Sequence, residues 1–195
     1  NLAQNTTMLL GEDFDFETDE QCIELRRLAE KWNGYDDGRI RIDGGIYAPY
    51  TSNHLLWEGI ADYCKEKGLG IQLHMAESAQ EAEDTMDRTG LGVAELLNCH
   101  RMLDVPVTAT GCVALSEEER VLLGKKKVSA VTTPVAYGKA GMQVLPVKSA
   151  VKAGINVALG TGGAVECGNM DLFEVMRATA FAERTAEGDA AAMPA

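Results

Sequence analysis

The sequence predicts an α/β fold in which a parallel sheet is wrapped by crossover helices. Three observations carry that reading. Short apolar segments alternate with amphipathic segments of helical period, in the order strand, helix, strand, helix. The connections between them have the lengths of βαβ units. No Pro/Gly/Ser-rich linker and no repeat of fixed period divides the 195 residues, so 1–195 reads as one domain, and 46% hydrophobic residues suffice for its core. About five strands with five or six helices make an incomplete barrel or an open doubly wound sheet, and periodicity alone does not choose.

Residues 1–11 lack an initiator Met and mix apolar with polar positions, which reads as a truncated strand from the middle of a longer protein. From Thr18 as N-cap, Cys22, Ile23, Leu25, Leu28, Ala29 and Trp32 recur at helical spacing until Asn33-Gly34 closes the helix. Residues 39–46 set Ile40 and Ile42 against charged neighbours as a strand, Ala48-Pro49-Tyr50-Thr51 breaks it, and a helix follows from about Ser52 to Lys67. Gly68-Leu69-Gly70 ends that helix and feeds a short apolar strand containing His74. An acidic loop or helix over 79–87, a helix near 92–100 and a strand over 105–110 come next. Ser116-Glu117-Glu118-Glu119 is a capped helix start, with acids where the helix dipole favours them. A strand at 128–131, a helix at 145–153, a strand at 155–159 and a helix at 170–183 complete the pattern, and the tail 186–195 carries no signal.

A net charge of −12 and a pI near 4.7 repel phosphate backbones, which excludes nucleic acid as an expected partner and favours a small molecule. The run Lys125-Lys126-Lys127 reads as a solvated helix end. No apolar run approaches the roughly 20 residues that span a bilayer, so no membrane partner is expected, and a cytoplasmic location follows by default. Five scattered cysteines without C-x-x-C spacing, Cys22, Cys64, Cys99, Cys112 and Cys167, argue against a disulfide framework and a zinc ribbon.

The stretch Gly70 to Ser78 carries the chemistry. Its strand ends by presenting His74 and, three residues later, Glu77, which is how parallel α/β enzymes place functional groups at the carboxyl end of a sheet. By spacing alone His74 is as readable as a hydrogen-bonded structural residue, and Glu77 as a solvated loop acid. Tyr50 and Trp57 read as residues bordering a substrate pocket or as core aromatics. His54 and His100 fall on helical stretches as surface or capping residues.

Four stretches in collinear order resemble the metal-dependent amidohydrolase superfamily, in its aminohydrolase branch of S-adenosylhomocysteine and methylthioadenosine deaminases, guanine deaminases and triazine hydrolases. They are Tyr47 to Thr51, Leu73 to Ser78, Gly111 to Glu118, and Ala153 to Ala164 with Asn169 to Glu174 just behind. The resemblance implies a (β/α)8 TIM barrel, incomplete here at about strands three or four to eight, and lacking the N-terminal strands and the small β-sandwich. It implies one zinc or iron ion, with His74 ending strand five as a metal ligand and Glu77 as the catalytic acid that shuttles a proton to the attacked ring. It also implies a nitrogen heterocycle as substrate.

The departures from that pattern are equally specific. Tyr47 stands where the resemblance implies a histidine before Ala-Pro-Tyr-Thr. Gly111 replaces a histidine, and Gly162 replaces the aspartate that binds metal and acts as base. Ala136-Tyr137 replaces a Ser-Asn pair. Catalytic zinc takes about three protein ligands, so weak or no metal binding is expected of these residues. Cys112 and Cys167 are read as inert thiols before they are read as substitute ligands. Three functions remain open: a hydrolase or deaminase, a non-catalytic relative that keeps a purine-sized pocket, and a fragment completed by missing chain or by a second copy.

Overall fold

The computed structural model describes residues 1–8 and 14–193; the part of the predicted N-terminal strand at 9–11 lies outside them. Among these described residues six strands and ten helices follow one another: β1 (Leu2–Thr6), α1 (Glu20–Trp32), α2 (Tyr35–Gly38), β2 (Ile42–Ile46), α3 (His54–Lys67), β3 (Ile71–Met75), α4 (Ala79–Thr89), α5 (Val93–Cys99), β4 (Val107–Gly111), α6 (Glu117–Lys125), β5 (Ser129–Thr132), α7 (Pro134–Lys139), α8 (Val147–Lys152), β6 (Asn156–Leu159), α9 (Ala164–Cys167) and α10 (Leu172–Glu187). A 3₁₀ turn, Pro49–Thr51, links β2 to α3.

The strands form one parallel sheet in the order β1-β2-β3-β4-β5-β6. A doubly wound sheet reverses its strand order at a switch point, and this one does not; sequential parallel neighbours are the order of a barrel wall. Among the described residues β1 and β6 do not pair with each other, so the wall is an arc.

Alternation along the strands divides the arc into two faces. Ile71, Leu73 and Met75 are buried against the helices, and with Leu25, Leu56, Ile60 and Leu97 they belong to the main core. Each such side chain contributes about 1.5–3 kcal/mol on burial. Gly44 makes this packing possible: a Cβ there would lie 2.6 Å from Cys64 Sγ and 3.1 Å from Ile60. The inner face is polar. Gly45, Gln72, Thr108, Ser129 and Asn156 stand in one register row, and His74, Thr110, Val131 and Ala158 in another nearer the carboxyl ends. Asp43 accepts from Gln72 Nε2 at 2.8 Å, and Asn156 Nδ2 donates to Ser129 Oγ at 3.0 Å.

Several boundaries differ from the sequence reading for local reasons. Asp19, not Thr18, caps α1, because its carboxylate accepts from Cys22 N at 2.9 Å. The predicted 170–183 helix is Leu172–Glu187, capped by Asp171 and ended by Gly188 at φ +63°. The short α2, α7 and α9 lie below what periodicity detects, and with 79–87 left between loop and helix they account for the lower predicted helix count. The segment at 79–87 is helical, with Ser78 Oγ accepting from Glu81 N. No helix among the described residues is long and apolar enough to cross a membrane.

Candidate functional site

The backbone after β3 is shaped to turn Glu77 back toward His74. Ala76 takes a left-handed conformation, φ +48°, and the buried Glu81 stabilises it by accepting from Ala76 N at 3.2 Å and Glu77 N at 2.8 Å. The loop after β4 is tied to the same turn, since Cys112 N donates to Met75 O at 2.7 Å and Val113 N to Ala76 O at 2.9 Å. Two adjacent loops are thereby fixed as one rim at the carboxyl end of the arc.

Glu77 is the hub of this rim. Tyr137 donates its phenol proton to Glu77 Oε1 at 2.6 Å, and Tyr50 reaches Oε2 more loosely at 3.4 Å. His74 Nδ1 lies 3.1 Å from Oε1 without the alignment of a hydrogen bond, a contact that becomes an ion pair when the imidazole is protonated. Burial pushes the Glu77 carboxyl up, but His74, Tyr137 and Tyr50 outweigh it and hold the group below the usual carboxylate range. The Glu77 contact raises the His74 imidazole against the opposing effect of burial, and Glu166 and Glu81 add to the pull. Burial, then Glu77, raises the Tyr137 phenol, which stays a proton donor. Tyr47 packs its ring on His74, centroids 5.0 Å apart, and its carbonyl accepts from His74 N at 2.9 Å.

Of the residues singled out in the sequence, His74, Glu77, Tyr50, Tyr47 and Gly111 meet here. Trp57 does not. It is buried, its indole N–H donates to Ser52 Oγ at 2.7 Å, and it borders a different cavity with His54 and His100. His100 caps α5 and pairs with Glu58 at 2.8 Å. The cavity beside Glu77, about 370 Å³, is lined by Tyr50, Glu81, Asp84, Arg88 and Met142.

Two residues escaped the sequence reading as site residues. Glu81 was legible in principle, because Ser78-Ala79-Gln80-Glu81 has the S-x-x-E spacing of a helix start. Tyr137 stood out only within the Ala136-Tyr137 departure, and nothing local tied it to Glu77, which lies 60 positions away.

The donors needed for a metal ion are not assembled. Among the described residues no group of three or more His, Cys, Asp or Glu is placed to hold one. Gly111 and Gly162 bring no donor atom. Cys112 is fully buried and that burial pushes its thiol up to about 12, the state of an inert core thiol. Cys167 is buried and accepts from Met170 N at 3.3 Å.

Residues 2–195 match the amidohydrolase family. The 5-methylthioadenosine/S-adenosylhomocysteine deaminases of Thermoanaerobacter pseudethanolicus and Moorella thermoacetica are 34% and 35% identical to the chain over 176 and 168 residues. Those alignments cover 90% and 86% of this chain, but 41% and 39% of the relatives, so the chain spans about two fifths of their length. An adenosine deaminase from Xanthomonas campestris, solved with bound zinc, superposes with a TM-score of 0.83 at 26% identity, over 90% of this chain and 40% of that one. A guanine deaminase from C. acetobutylicum, solved with guanine in its active site, gives 0.85 at 17% identity over 98% and 46%, a likeness of fold. These neighbours extend the arc into a barrel, of which the present chain is a part. The zinc of the Xanthomonas enzyme has no matching group of three or more such donors among the residues described here: beside His74 stand one carboxylate, Glu77, the phenols of Tyr47 and Tyr137, and Gly111.

Proposed function

Because this chain belongs to the amidohydrolase family, we propose that it forms part of a pocket for a nitrogen heterocycle of the purine class, read by Glu77 without a metal ion in the residues described. The observation that carries this reading is the Glu77 carboxylate, ionised at neutral pH and fixed at the rim of the arc. Its Oε1 is engaged by Tyr137 and His74, whereas Oε2 has only the long Tyr50 contact and keeps acceptor capacity for a ring or amino N–H. Tyr47 and Tyr50, packed edge to face with ring centroids 6.3 Å apart, stand beside it as exposed aromatic surface. Deaminases of adenosine-type and guanine substrates among the relatives support the choice of ligand class.

A hydrolase or deaminase acting on a C–N bond of such a ring is the second reading, favoured by His74 and Glu77 standing 3.1 Å apart at the end of β3. Zinc or iron for that chemistry needs donors beyond this set, and no hydrolytic step follows from these residues alone.

The test is a thermal shift of the purified protein with 5′-methylthioadenosine in the presence of a chelator. A saturable rise in melting temperature that disappears in Glu77→Gln is expected. No shift in the wild type would overturn the binding reading, and ammonia release abolished by His74→Ala would establish the hydrolytic one in its place.

A further inference from the structure

Gly111 occupies a position where a side chain has nowhere to go. Its φ is +98°, and a Cβ built there would lie 2.9 Å from Glu77 Cγ, 2.9 Å from Met75 O and 3.2 Å from the Tyr137 hydroxyl. Gly162, on the loop after β6, repeats the arrangement: φ is +72°, and its Cβ would lie 3.2 Å from Ala136 Cβ and 2.7 Å from Glu166 Oε2. Glu166 is exposed and flexible and can yield, whereas Ala136 cannot. One dipeptide at the start of α7, Ala136-Tyr137, therefore stands against both glycines. It is anchored from below, because Ala136, Tyr137 and Val113 form a small buried cluster with Val144 packed on it.

Tyr137 is 9% exposed, and its hydroxyl makes its 2.6 Å bond to Glu77 in the space beside Gly111. We infer that Tyr137 is a positioning residue for Glu77, that Gly111 is glycine because the Tyr137–Glu77 pair fills its side-chain space, and that the site so formed is specific for an N–H-bearing heterocycle without metal. Gly111 and Tyr137 are then coupled positions: the phenol reaches the carboxylate through space that a side chain at Gly111 would occupy. An ionised carboxylate fixed by a phenol has one oxygen committed and one free, which suits a planar ligand offering a single exocyclic amino N–H, as an adenine ring does. The ligand half of this inference rests on the function proposed above; the coupling half does not.

A double-mutant cycle of Gly111→Ala and Tyr137→Phe separates the two halves. Tyr137→Phe removes one hydroxyl and keeps the buried ring, so the fold is retained. Gly111→Ala alone is expected to lower the melting temperature by about 5–15 °C, through left-handed strain and close contact. The double variant is expected to melt at least ~2 °C above the sum of the single shifts, because the hydroxyl contact is gone. Additive shifts would overturn the coupling.

For the ligand half, Tyr137→Phe is expected to raise the Kd for 5′-methylthioadenosine, measured with chelator, about 5–30-fold. Val113→Ala, which loosens the same cluster without touching Glu77, is expected to leave Kd within about twofold. Equal losses in the two variants would reduce Tyr137 to packing and overturn its positioning role. If the wild type binds no purine nucleoside, the proposed function and the ligand half fall together, while the melting cycle still decides the coupling.

Discussion

At the residue scale the site is a balance between burial and charge around one carboxylate. Glu77 would be pushed up by its half-buried surroundings, and a histidine and two phenols reverse the sign. The pH dependence follows from the two directions. His74 is raised in the fold, so its contribution is fully present below its unfolded value of about 6.5 and is lost as pH rises through the folded one; Glu77 is depressed, so its contribution is present above about pH 4.3 and is lost as pH falls. As pH rises above about 6.5, the melting temperature of the wild type is expected to fall more steeply than that of His74→Gln, by calorimetry over a pH series. Glu81 is the residue beneath the site. Removing its carboxylate strands two backbone N–H groups at a left-handed turn, and Glu81→Ala is expected to cost about 2–4 kcal/mol in denaturant unfolding, with Glu81→Gln costing less.

At the element scale buried acids do for several helices what Glu81 does for the β3 rim. Glu119 accepts from Ala94 N at the start of α5 and from Ser116 N at its own cap, and Glu183 of α10 accepts from Val147 N and Lys148 N at the start of α8. The Glu119 cap was legible, because Ser116 and Glu119 have capping-box spacing; the reach of Glu119 to α5 and of Glu183 to α8 was not, since each joins elements 25 or more positions apart. Ser116→Ala is expected to cost about 1 kcal/mol by chemical denaturation. Helix packing on β2 depends on Gly44 in a more exacting way. Gly44→Ala is expected to cost about 1–3 kcal/mol, and less than the summed single costs when combined with Cys64→Ala, whose sulfur is the obstructing atom.

At the scale of the whole molecule, strand order supplied what periodicity lacked. The alternation of strands and helices was plain in the sequence, but a barrel wall and a doubly wound sheet share it, and the unreversed strand order from β1 through β6 separates them. The polar β1, with Gln4 and Asn5 on a short strand, was legible only as a damaged one because its pairing partner β2 supplies the order that its composition does not. For the site, the His74–Glu77 spacing was visible; what fills the space beside Gly111 and Gly162 was not, because it comes from α7. The arc leaves two strand edges unpaired among the described residues, and exposes Leu2 on β1 and Leu159 on β6. The isolated 195-residue chain is therefore expected to self-associate in light scattering, and to do so less when longer flanking chain is present. The most direct measurement of the central claim is calorimetric titration of the metal-stripped protein with a purine nucleoside, with chelator and again with added zinc. Saturable binding of equal affinity in both conditions, weakened in Glu77→Gln, is the expected result; binding that appears only with zinc and vanishes in His74→Ala would contradict it.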